Sequence, residues 1–171
     1  FRSGALIGHH LGLTAMALEL DIAAALVSAD LGDLDGAIRE VEAVLRQAET
    51  ISSVITMSWA RTSLGWMLLR RGPSFAQGAI DEALEEARRI DYPIAIAVGI
   101  RSRAFADVLD GRLEQAAERI DELTHELVSR GALSNLRLLA DVAAATAFRS
   151  DHPSWERLAA TARNLPVTTL T

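Results

Sequence analysis

The residues best suited to recognition chemistry are four arginines in apolar surroundings, Arg61, Arg101, Arg103 and Arg137. Arg61 and Arg101 stand forty positions apart and Arg137 thirty-six further along, so a regular repeat would present them as a ladder. A guanidinium fork matches carboxylates and phosphates bidentately. Trp59 and Trp66 flank Arg61, seven residues apart and hence on nearly one face of a helix, where they would add flat apolar surface beside the cation. Such a set would hold an acidic peptide segment or a small anionic effector. The same arginines have a plainer use: they would pair with carboxylates such as Glu82, Glu85 or Asp107 on neighbouring helices, while the two Trp fill the core.

No comparable set speaks for catalysis or metal binding. His9 and His10 are adjacent, and adjacent helical side chains diverge by about 100°, which suits a shared metal poorly. His125, beside Glu122 and Glu126, reads as a solvated helix face, and His152 before Pro153 as a turn. All seventeen cations are Arg and there is no Cys, which removes P-loop and Schiff-base lysines, thiol nucleophiles, disulfides and cysteine metal sites. Gly-x-Gly-x-x-Gly, Gly-x-Ser-x-Gly and His-Glu-x-x-His are missing as well. The expectation is a non-enzyme with no cofactor and no metal.

A length of 171 residues suits one domain, and a net charge of −6 offers no broad positive field for phosphate backbones. Direct nucleic-acid contact is not expected. The apolar stretches 11–31 and 54–69 carry Glu19, Asp21 and Asp30, and Arg61, so neither suits a membrane span. With no Cys, and no signal peptide after Phe1, the expected setting is the cytoplasm, within a piece of a longer polypeptide.

Ala and Leu dominate the apolar half of the chain, and Gly-bearing turns recur at Gly32, Gly72 and Gly111, with a related turn at Asp151-His152-Pro153. After each turn come apolar positions at helical spacing: Ala37/Val41/Val44/Leu45/Ala48, Ala79/Ile80/Ala83/Leu84/Ala87 and Ala116/Ile120/Leu123/Leu127. These are second helices of hairpins. The more uniformly apolar first helices span about 11–31, 53–71, 93–110 and 132–148, with Pro93 and Pro153 at helix starts and Ser74-x-x-Gln77 as a capping box. The hairpins then cover roughly 3–50, 53–90, 93–130 and 132–165. Each buries only one face alone, so neighbours must stack, giving an all-α right-handed solenoid of about four antiparallel helical hairpins. Its stability should rest on Leu18, Leu26, Val41, Leu45, Leu64, Ile80, Leu84, Phe105, Ile120, Leu123 and Leu139. Gly4, Gly8 and Gly12 fall at i, i+4 and i+8, a helix-packing strip on which a preceding repeat or a second copy would dock.

Leu64-Gly65, then Leu68, then Ala79 and Ala83 resemble the small and large positions that lock helix pairs in tetratricopeptide arrays. The period near forty is similar to the longer hairpins in the carboxy-terminal sensor regions of large bacterial signalling ATPases, the LuxR-type and maltose-activator-type transcription regulators. That resemblance implies that the first helices line a concave groove, with Trp59, Arg61, Trp66, Arg101, Arg103 and Arg137 as its candidate contacts. The function it implies is protein–protein interaction or effector sensing that biases an attached domain. The alternative is a constitutive scaffold or oligomerisation module, homodimeric through a terminal repeat.

Overall fold

A computed structural model describes residues 1–129 and Glu156, with residues 73–75 described by their backbone alone. Seven helices follow one another: α1 (Arg2–His10), α2 (Thr14–Asp30), α3 (Leu34–Thr50), α4 (Val54–Leu69), α5 (Pro73–Arg89), α6 (Pro93–Leu109) and α7 (Leu113–Ser129). No strand occurs among the described residues, so the protein is all-α there. None of these helices is long and apolar enough to cross a membrane.

The turns explain the regularity. Residues 12, 32, 52, 91 and 111 all have positive φ, between 53° and 107°, and form the left-handed step that ends a helix. In each turn the next residue's N–H reaches back to the carbonyl five positions earlier: Leu13 to Gly8, Asp33 to Ser28, Ser53 to Ala48, Tyr92 to Ala87 and Arg112 to Asp107, at 2.8–3.0 Å. The repeat is therefore one helix and one turn per twenty residues. Gly occupies three of these five positions, whereas Ser52 and Asp91 adopt the conformation at some cost in strain. The turn at Gly72 differs for a chemical reason. Pro73 has no N–H to make the bond five positions back, and the end of α4 is tighter there, with the Arg70 and Arg71 N–H groups bonding the Met67 and Leu68 carbonyls three positions back.

The chain divides into two compact units, 1–99 and 100–171, with the division inside α6. In the first unit α1 lies on α2, α2 on α3, α3 on α4 and α4 on α5, and α2 also touches α4. Leu18, Ile22, Ala25 and Ala29 of α2 meet Ile38, Val41, Val44 and Ala48 of α3 and Ala60 and Met67 of α4 in one apolar cluster. Second-type helices α3 and α5 bury one stripe, while α4 buries residues around much of its circumference, from Thr56 to Leu69. Close approach needs a missing side chain at one point. A Cβ on Gly65 would come within 2.8 Å of Ile80 Cγ1, so α4 and α5 meet at nearly backbone distance there. Asp33 caps α3 by accepting the Gly36 N–H at 2.9 Å. In the second unit α7 buries Ala116, Ala117, Ile120, Leu123 and Leu127.

Three expectations change. The segment 3–50 holds three helices, because α1 is a short helix of its own ahead of α2. Gly12 leaves the glycine strip, since at φ 72° it forms the α1–α2 turn; Gly4 and Gly8 alone face α2, where added Cβ atoms would meet Leu20 at 3.2 Å and Ala17 at 3.0 Å. Of the expected core, Leu18, Val41, Ile80, Leu84, Ile120 and Leu123 are buried, whereas Leu26, Leu45, Leu64 and Phe105 are half-buried. Leu139, the hairpin 132–165 and the side chain of Ser74 lie outside the described residues.

Candidate functional site

Arg61 projects from α4 toward the C-terminal ends of the two second-type helices beside it. Its Nη1 donates to both carboxylate oxygens of Glu86 on α5, at 2.5 and 2.6 Å, and its Nη2 stands 3.5 Å from Glu49 on α3. Glu86 is largely buried, with 12% of its side chain exposed, and Arg89 lies 3.8 Å from it. Arg61 thus ties α3, α4 and α5 together by a charge-assisted pair. The pairing role foreseen for the arginines holds here, with Glu86 as the partner instead of Glu82 or Glu85. One turn of α5 separates Glu82 from Glu86, and only the helix's rotation decides which carboxylate faces α4.

Trp59 packs against the apolar cluster of the first unit, and Trp66 is also half-buried. Arg101 and Arg103, half-buried on α6, are each engaged with neighbours and belong to the second unit. Arg137 lies outside the described residues. Within the first unit, then, Trp59, Arg61 and Trp66 share α4, with the cation already partnered.

Two arrangements differ from the sequence reading, which names Asp107 as a partner for Arg61, Arg101, Arg103 or Arg137 and does not foresee the second at all. The first surrounds Asp107, which is only 2% exposed: its Oδ1 accepts from Arg112 Nε and Nη2 at 2.9 and 2.7 Å, and its Oδ2 accepts from Arg119 Nε at 2.7 Å. Arg112 also reaches Asp110 at 2.8 Å, and its hydrogen bonds to Asp107 hold it more firmly protonated than usual. The carboxylate is fully used, clamping the α6–α7 turn onto both helices. The second arrangement is Glu19 on α2 with Tyr92, the residue before α6. Burial raises the Glu19 carboxyl above its ordinary range, and burial, then the Glu19 charge, push the Tyr92 phenol up to about 12. Their positions, seventy-three residues apart, gave no signal because only stacking brings them near.

At the amino-terminal side a cleft of about 210 Å³ is lined by Arg2, Asp21, Glu40, Val44 and Gln47. Arg2 pairs with Glu40 at 2.9 Å, and His9 Nε2 lies 3.1 Å from the Asp21 carboxylate. His9 and His10 thus diverge, the former onto Asp21. Among the described residues no three of His, Asp and Glu gather as metal ligands. His125 is exposed on α7. Comparison with protein-family models, with curated proteins and with solved structures returns no match for this chain.

Proposed function

We propose that this chain is a non-catalytic binding module: a right-handed solenoid of about four helical hairpins that recognises a protein, a peptide or a small anionic effector. The resemblance of its long-period hairpins to the sensor regions of LuxR-type and maltose-activator-type regulators supports reading it as part of a bacterial, cytoplasmic transcription regulator. The observation that carries this reading is the single turn geometry at residues 12, 32, 52, 91 and 111, joined to the packing of each helix of the first unit on the next. A stack of near-identical units exposes long faces for recognition and transmits packing changes along its length.

Arg61 is the residue through which an anion would act. Its hold on Glu86 is short, whereas Glu49 lies at 3.5 Å with half its side chain in solvent, so an incoming carboxylate exchanges with Glu49 and leaves the Glu86 pair in place. That exchange loosens the α3–α4 link and biases whatever the array is attached to. A thermal-shift screen over metabolites and acidic peptides tests the proposal. A genuine effector stabilises the fold by about 2.7 kcal/mol at a hundred times its dissociation constant. The shift should vanish in Arg61→Gln, and a screen with no shift at all leaves the constitutive scaffold as the better account.

A further inference from the structure

Between its packed flanks α4 carries two half-buried strips of different chemistry. One holds Met57, Arg61, Leu64 and Leu68; from it Arg61 reaches Glu86 and Glu49, so it lies between α5 and α3. The other holds Trp59 and Trp66, which at about 100° per residue stand roughly 140–160° around the helix from Arg61. A shift of forty residues carries α4 onto α2 and puts Glu19 and Leu26 where α4 has Trp59 and Trp66. All four are half-buried, and α2 touches α4, so the two helices present them on one surface.

At one end of that surface stands a carboxylate with nothing to neutralise it. The partly buried Asp21, Glu40 and Glu86 of the first unit each have a His or Arg nitrogen within 3.1 Å. Glu19, by contrast, makes no hydrogen bond and no ion pair among the described residues. Burial raises its carboxyl, as expected for a partly desolvated charge without compensation. Tyr92 shares the place. Helix α4 lies against both α2 and α5, α5 ends three residues before Tyr92, and the Glu19 charge is felt at the phenol across the helix that carries Trp59. A Trp and a Tyr beside an unneutralised carboxylate are the parts of a cation site, because ring faces and anion attract the same charge.

We propose that Glu19, Trp59 and Tyr92 bind the cationic side chain, Lys or Arg, of an extended partner peptide. Charge complementarity selects the occupant: an alkylammonium or guanidinium brings Glu19 the positive charge that no described residue supplies, and either one lies well against a ring face. The rest of the surface fixes what else the peptide carries. Leu26 and Trp66 each lie seven residues further along their helices, about 10 Å at 1.5 Å per residue. A polyproline-II segment, with three residues per turn and about 3.1 Å rise, brings side chains three apart onto one face at nearly that spacing. The recognised segment therefore has a basic residue and, three positions away, a Leu, Ile or Met that covers Leu26 and Trp66. This binding does not depend on the exchange proposed for Arg61, which faces the other side of α4.

The test uses the full chain and labelled, end-blocked peptides containing Lys-Pro-Pro-Leu or the reverse order, Leu-Pro-Pro-Lys, followed by fluorescence anisotropy. Saturable one-to-one binding by one of the two orders is expected, weakened roughly tenfold or more when uncharged norleucine replaces the Lys. Glu19→Gln in the protein should erase that preference and leave the norleucine peptide's affinity where it was, which lost packing alone would not do. Trp59→Leu should weaken the Lys peptide several-fold, and Tyr92→Leu removes a ring independently should the Trp59 variant lose its helical circular dichroism. Four results overturn the proposal: no saturable binding of either order at millimolar peptide; Lys and norleucine peptides that bind alike; a preference for Lys that survives Glu19→Gln; or butylammonium that competes as tightly as the peptide, which makes a free amine the occupant.

Discussion

Helices α2 and α4 hold equivalent places in successive hairpins, yet their cores are built from different material. Helix α2 buries Leu18 and Ile22 beside Ala, whereas α4 buries Thr56, Ser58, Thr62, Ser63 and Gly65. The reason is crowding. Helix α4 has α2, α3 and α5 against it and, from Thr56 to Gly65, accommodates them with small buried side chains, one of them no side chain at all, keeping large buried groups only at Met67 and Leu69. Helix α2 keeps one flank in solvent and anchors the cluster with larger groups on the other. Small residues bring helices close and large ones supply buried area, and a stacked helix divides its circumference between the two uses.

Substitutions at matched positions sharpen that contrast. Met67→Ala, at a fully buried site, should cost about 2–5 kcal/mol, whereas its register partner Val27→Ala, 43% exposed, should cost about 1 kcal/mol or less. Urea denaturation of both separates them, and equal losses would break the comparison. Gly65→Ala should cost about 1–2 kcal/mol net, because the clash with buried Ile80 outweighs a helix-propensity gain of about 1 kcal/mol. Gly78→Ala, where an added Cβ meets nothing within 4 Å, should instead stabilise the protein by roughly that propensity gain.

The crowding of α4 also leaves the Ser58 and Ser63 hydroxyls buried without hydrogen-bond partners among the described residues. Ser58→Ala should therefore stabilise by about 0.5–1 kcal/mol, the opposite sign from the neighbouring Gly65 change, as measured by urea denaturation. The smallest effect concerns the one tyrosine in the chain, which makes absorbance near 295 nm a report on a single group. Tyr92 should titrate near 12, and Glu19→Gln should lower that midpoint by removing the charge but not the burial. Because the folded phenol titrates above the unfolded value of about 10, the stability it contributes is intact below pH 10 and drains away as pH rises toward 12. A flat stability profile across that window would place Tyr92 in water.

Much of this was legible in the residues. Ala-rich stripes at i, i+3, i+4 and i+7 mark α3, α5 and α7, and the glycines at 32, 72 and 111 mark the hairpin period. The turns at Ser52 and Asp91 are placed only as the gaps between hairpins 3–50, 53–90 and 93–130, since neither residue signals the left-handed step, and the turn at Gly12 is missed because that glycine reads equally well as part of a strip with Gly4 and Gly8. Helix α1 was obscured for the same reason: two of its nine residues are glycine, and its apolar side chains are not confined to one stripe. The candidate site was legible only in its residue types. Arg61 was identifiable as a fork in search of a carboxylate, but Glu82, Glu85 and Glu86 are indistinguishable until α5 is rotated against α4.

Read without coordinates, the chain determines that it is helical and where most of its helices from α2 to α7 start and stop, because those depend on neighbours within a few residues. Tertiary structure decides which charges meet and which flanks stay bare: Arg61 with Glu86, Asp107 between Arg112 and Arg119, Tyr92 near Glu19, and the open side of α2. Those outcomes depend on the relative rotation of stacked helices, and a single residue's phase, about 100° around the axis, is enough to exchange one partner for another.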